Sequence, residues 1–88
     1  MDILRRASAG TMESSDAYIE VEPHTGLSIQ IESVVKKQFG DRIESAVREV
    51  LSECGVESCA VRVVDRGALE CVIRARVETA VKRSGGEC

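Results

Sequence analysis

Polar and apolar residues alternate one by one from Ala17 to Glu22, with Ala17, Ile19 and Val21 on one side and Tyr18, Glu20 and Glu22 on the other. A period of two is that of a half-buried strand. Leu27, Ile29 and Ile31 repeat the alternation against Ser28, Gln30 and Glu32. Pro23-His24-Thr25-Gly26 between the two runs is turn chemistry, so the pattern predicts an antiparallel hairpin with one apolar face. His24 falls on that turn as a surface residue. The period then lengthens: Val35, Phe39, Ile43, Val47 and Val50/Leu51 recur every three or four residues and mark an amphipathic helix over Ser33–Cys54. Gly40-Asp41, with Glu44 three residues after Asp41, predicts a restart or kink within it, and Gly55 a left-handed stop. Phe39 is expected as a core anchor.

Cys59, Val61 and Val63 against Ala60, Arg62 and Val64 make Ser58–Val64 a third strand, buried on one face and partly on the other. Asp65-Arg66-Gly67 turns the chain. Leu69, Val72, Ile73, Val77, Ala80 and Val81 share one face of a second helix over Leu69–Arg83, whose Lys82 and Arg83 suit the negative end of the helix dipole. Cys71–Val77 also alternates, which leaves a short strand before a shorter helix as the alternative there. The sum is an α+β fold, a small antiparallel β-sheet packed on one face by two helices in the order β-β-α-β-α. The expected organisation is a flexible N-terminal segment over 1–16, a single domain over 17–84 and a tail over 85–88.

Composition narrows what such a domain does. In 88 residues, 43% are hydrophobic and 31% charged, which suits a folded domain with a small core. Tyr18 and Phe39 are the only aromatic residues, so platforms for stacking single-stranded nucleic acid are missing. A net charge of −3 without a basic face argues against nucleic acid or an anionic membrane as partner. No apolar run approaches the ~18 residues of a membrane span. Cys54, Cys59, Cys71 and Cys88 show no C-x-x-C spacing, and His24 lies far from them, so no metal site is expected. Met1–Ala9 has no apolar run of a signal peptide, which makes free thiols and a cytoplasmic location the expectation.

Catalysis finds no support. A serine nucleophile needs a base, and His24 is alone on a turn. No G-x-G-x-x-G or Walker loop is present. The stretch that stands out is Ala9–Asp16, AGTMESSD, small and polar with no apolar period. Ser14 and Ser15 there are exposed and unactivated, so a serine that matters is one that is acted upon. Two readings of the residues stay open: an interaction subunit without cofactor, and a carrier whose serine is esterified by a separate transferase.

Three blocks tip the balance. Ala9-Gly10-Thr11-Met12-Glu13-Ser14, Lys37-Gln38-Phe39-Gly40-Asp41, and Gly67-Ala68-Leu69-Glu70-Cys71 running into Ile73-Arg74-Ala75-Arg76-Val77-Glu78 together resemble the acyl carrier (gamma subunit) family of citrate lyase. The carrier subunit of malonate decarboxylase is a more distant fit. The resemblance implies a non-catalytic subunit whose Ser14 carries phosphoribosyl dephospho-coenzyme A through a phosphodiester. The thiol of that group would hold acetyl or citryl as thioesters while citrate is cleaved to acetate and oxaloacetate. Implied partners are the alpha subunit (acyl transferase), the beta subunit (citryl lyase) and the prosthetic-group transferase. Ser15 departs from the family, which usually has glycine after the modified serine. Glu13 and Asp16, on both sides of Ser14, are expected to repel a polyanionic group. Arg74 and Arg76 are expected as a charged helix face, with docking of a partner or of phosphates as the alternative.

Overall fold

A computed structural model describes residues 3–33 and 36–85, the side chains of 36–40 excepted. Its elements are β1 (Ala7–Gly10), β2 (Ala17–Glu22), β3 (Leu27–Ser33), α1 (Lys36–Glu53), β4 (Cys59–Asp65) and α2 (Glu70–Arg83). The four strands form one sheet in the order β1-β2-β4-β3. Both helices lie on one face, α2 over β1 and β2 and α1 over β3, and they touch each other. The α+β class and the layer of two helices on one sheet face are therefore those expected.

The pairing departs from the antiparallel hairpin expected. β2 and β3 do not form a hairpin, because β4 lies between them, antiparallel to β2 and parallel to β3. Ile19 and Val21 of β2 face Val63 and Val61 of β4, and Ile31 and Ile29 of β3 face the same two residues from the other side. β4 is the strand that gains most from a central place: Cys59, Val61, Val63, Val64 and Asp65 are all buried, whereas Leu27, Gln30 and Glu32 of β3 are exposed. The four residues 23–26 can bridge the gap, since two strand spacings are ~10 Å and four extended residues reach ~13 Å.

The segment expected to lack regular structure contains β1, which pairs antiparallel with β2 from Ala7↔Val21 to Gly10↔Tyr18. The chain before it is tied to the end of α2. Ile3 is buried, and the Leu4 and Arg5 amides donate to the Ser84 carbonyl at 3.1 and 3.2 Å. Sequence pattern misses this strand because Ala7, Ser8, Ala9 and Gly10 carry almost no side chain and no β propensity. Its stability comes from backbone pairing and from Ala9, 3% exposed, against α2.

The core is aliphatic. Ile43, Val47, Val50 and Leu51 of α1 and Ile73, Val77, Ala80 and Val81 of α2 meet Ile19, Val21, Val61 and Val63 of the sheet. α1 runs through Gly40-Asp41 without the expected interruption, an interior glycine being tolerable at a cost of ~1 kcal/mol. Cys71–Val77 is helix. His24 is exposed. Cys59 and Cys71 are free, while Cys54 is disulfide-bonded, a departure from the expectation of free thiols. The Phe39 side chain and most of the tail over 85–88 lie outside the described residues.

Candidate functional site

Residues 11–16 are the loop of the β1–β2 hairpin. The loop is tied down at both ends. Gly10 closes β1 with φ +88°, and a Cβ there would lie 1.8 Å from the Ala17 carbonyl oxygen and 3.2 Å from Arg76 Cδ. Only glycine fits that backbone and that approach. At the other end the Ser15 amide donates to the Arg66 carbonyl at 2.8 Å, and the Arg66 amide donates to the Asp16 carbonyl at 2.9 Å. The turn after β4 thus serves as a brace for the loop.

That turn is itself held by Asp65. Its carboxylate accepts the Gly67 and Ala68 amides at 3.1 and 2.9 Å and the Ser33 hydroxyl at 2.7 Å, and the residue is 2% exposed. A buried carboxylate with three donors keeps its charge satisfied and sets the chain direction out of the sheet.

Asp16 organises the loop from inside. It accepts the Thr11 hydroxyl at 2.7 Å, the Ala17 amide at 2.7 Å, and Arg76 Nε from α2 at 3.2 Å. The Thr11 oxygen in turn accepts the Glu13 amide at 3.2 Å. The Thr11 hydroxyl, then the Ala17 amide, and then Arg76 hold the Asp16 carboxyl at about 2, against an ordinary 3.8. Each of these donors favours the ionised form. The expected repulsive role therefore does not fit Asp16, whose charge is spent on the loop and on Arg76; Glu13 keeps an exposed side chain with no ion pair among the described residues. Arg76 is equally committed, and Arg74 is paired with Glu49 of α1 and Glu70 of its own helix. Both arginines bind the protein together rather than facing outward as free cations.

The pH dependence follows. A carboxyl whose pKa falls on folding binds fewer protons folded than unfolded, so its stabilisation is complete above 3.8 and is lost as pH falls through about 2. The stability difference between the parent chain and Asp16→Asn is expected to be flat above about pH 5 and to shrink toward pH 2. Denaturant titrations of both chains across that range check this, and a difference that persists undiminished at pH 2 would refute it.

Ser14 sits at the exposed crown of this loop and makes no hydrogen bond among the described residues. Ser15 next to it has φ +67°, the left-handed region where a Cβ costs energy. The conformation explains why glycine suits this position. Ser15→Gly relieves that strain and adds freedom to the unfolded chain, for a net gain of about 0.5–1 kcal/mol, or ~2–8 °C in Tm. A scan of the two apo chains measures it; an unchanged or lower Tm would count against the strain.

The sequence alone offers Ser14 as a candidate and does not reveal what braces its loop. Gly10, Asp65 and Arg66 lie 4, 51 and 52 positions from Ser14, and only pairing in space brings the last two to the loop. Among the described residues no group of three or more His, Cys, Asp or Glu could hold a metal ion. None of the described helices is long and apolar enough to cross a membrane.

Residues 4–84 match the acyl carrier family described as malonate decarboxylase delta subunit (MdcD). A citrate lyase acyl carrier protein of Haemophilus influenzae (strain PittEE) is 51% identical over 87 residues, 99% of this chain and 92% of the relative. Citrate lyase acyl carrier protein 2 of Salmonella typhimurium is 50% identical over 86 residues, 96% of this chain and 89% of the relative. Among solved structures, a chain of a Pseudomonas malonate decarboxylase hetero-tetramer in complex with malonate superposes with a TM-score of 0.81 at 26% identity, covering 97% of this chain and 89% of that one.

Proposed function

From a chain that belongs to the acyl carrier family of citrate lyase and malonate decarboxylase, we propose the acyl carrier subunit of a citrate lyase, loaded on Ser14 with phosphoribosyl dephospho-coenzyme A. It is a carrier subunit and not itself catalytic. The observation that carries the attachment reading is the state of Ser14: an exposed hydroxyl without a hydrogen bond, on a loop fixed from both sides. That state fits a phosphodiester link. The hydroxyl is open to a loading enzyme, and no neighbouring base competes for it. When bound, the group supplies a thiol that holds acetyl or citryl during cleavage of citrate to acetate and oxaloacetate.

The chain's own part is to present that group. Gly10, Asp16 and the Arg66 backbone hold the base of the arm at one end of the sheet. A tether fixed at its root keeps its free end at effective concentrations on the order of mM near a docked partner's active site. The partners on this reading are the alpha and beta subunits and the prosthetic-group transferase, in the cytoplasm.

Identity near 50% along the whole chain favours citrate lyase. The family description and the hetero-tetramer likeness favour a malonate decarboxylase carrier as the second reading. The test is the intact mass of the chain from a host that has the loading transferase, followed by fragmentation of the peptide 7–36. One cofactor-sized adduct on Ser14 is expected. An unmodified chain from that host overturns the carrier reading in favour of an interaction subunit. Reconstitution of the loaded chain with citrate lyase subunits, and separately with malonate decarboxylase subunits, separates the two complexes.

A further inference from the structure

We propose that Arg66, assisted by Arg62, forms a cradle for the phosphodiester of the group on Ser14, so that the root of the arm is pinned to the sheet rather than free. The inference rests on the attachment reading above and adds a phosphate-binding site to it.

Four observations carry it. First, both backbone groups of Arg66 are bonded to the loop, its carbonyl to the Ser15 amide and its amide to the Asp16 carbonyl. This fixes the Arg66 backbone beside Ser15, the residue that follows Ser14, and so roots its exposed side chain at the foot of the loop. Second, Arg66 is exposed and has no ion pair among the described residues, whereas Arg74 and Arg76 are committed to Glu49, Glu70 and Asp16. Third, Arg66 and Arg62 border one cleft of about 260 Å³ together with Met12 of the same loop, Val64 and Glu32. Fourth, Arg62 is held only loosely, with Glu20 at 3.5 Å and Glu32 at 4.0 Å. It can turn toward a stronger anion without giving up a close pair.

The charges facing the cleft agree with this. Glu32 is the one carboxylate lining it that is not buried, and Arg62 faces it. Asp16 is neutralised by Arg76 on the far side of the loop. On a chain of net charge −3, a polyanionic arm finds its favourable contact at the loop's own foot. Guanidinium is the side chain suited to it, since its planar donors match two phosphate oxygens at once.

The experiment uses the chain loaded by its transferase, ¹⁵N-labelled, beside its apo form. Intact mass and peptide mapping are read first. An unloaded chain, or an adduct elsewhere than Ser14, defeats the attachment reading and this inference with it, and mass alone reveals that. With the adduct on Ser14, loading is expected to shift the Arg66 Nε–H resonance and leave that of Arg48, on the far helix, in place. The shift should diminish in ~1 M salt, where screening acts within ~3 Å. In the loaded chain the phosphodiester ³¹P line is expected to sharpen on Arg66→Gln and to stay broad on Arg48→Gln. A loaded parent chain whose Arg66 resonance does not move overturns the proposal. Should Arg66→Gln fail to fold or to load, the comparison of parent apo and loaded forms decides on its own.

Discussion

A Ser14→Ala chain is expected to fold as the parent does, to emerge from a loading host without any adduct, and to support no turnover in the reconstituted complex. Ser14 is exposed, and no described contact depends on its hydroxyl. A surface substitution of this kind changes stability by no more than about 0.5 kcal/mol. On the proposed attachment the functional effect is all-or-none, because the phosphodiester would have no other oxygen to form on at that position. Ser15→Ala is the paired control. Its amide is bonded to the Arg66 carbonyl and its backbone is left-handed, so its side chain is aimed by a different backbone geometry from that of Ser14. Ser15→Ala should load fully. Intact mass and coupled oxaloacetate formation read both outcomes, and an adduct surviving in Ser14→Ala would move the site to another residue.

Gly10→Ala should be strongly damaging at the end of β1 that roots the hairpin loop. A methyl group there meets the Ala17 carbonyl oxygen at 1.8 Å, and the backbone φ of +88° disfavours any side chain. The left-handed penalty and the overpacking together cost ~2–5 kcal/mol, a large part of the 5–15 kcal/mol that stabilises a typical domain. Relief requires β1 to part from β2, because the obstruction is backbone and cannot rotate away. Chemical denaturation should show the loss. Amide exchange should show faster opening at Ser15 and Arg66, whose hydrogen bonds join the loop to the turn. Where the variant still folds, loading at Ser14 should slow as the loop loses its brace. A Gly10→Ala chain within about 0.5 kcal/mol of the parent would show that the hairpin end is slack.

Much of this protein is readable along the chain. Alternation placed β2, β3 and β4 within a residue or two, and the longer period placed both helices. In each case the side-chain spacing is a direct image of the backbone repeat. The Cys71–Val77 ambiguity resolved as helix because Ile73, Val77, Ala80 and Val81 pack as one stripe into the core. Arg74 and Arg76 read together in sequence as one charged helix face or as outward docking residues, although only Arg74 has acids four residues away, Glu70 and Glu78. Arg74 does pair with Glu70 one turn away, but its other partner, Glu49, and the partner of Arg76, Asp16, lie 25 and 60 positions away. No local pattern encodes such separations.

The loop shows the same division. Its polarity, its missing base and the serine itself were legible in AGTMESSD, because exposure and unreactivity are properties of residue type. Its shape was not. A small-residue strand such as Ala7–Gly10 has no periodic signature, and its existence depends on a partner strand with an unpaired edge. The insertion of β4 between β2 and β3 followed from burial: the strand with apolar residues on both faces takes the middle of the sheet, and strand order is a global minimum over all pairings. That order carries Asp65 and Arg66 to the foot of the hairpin. Local chemistry thus marked both serines as available, while long-range pairing set them on a braced loop beside Arg66, which has no ion pair among the described residues.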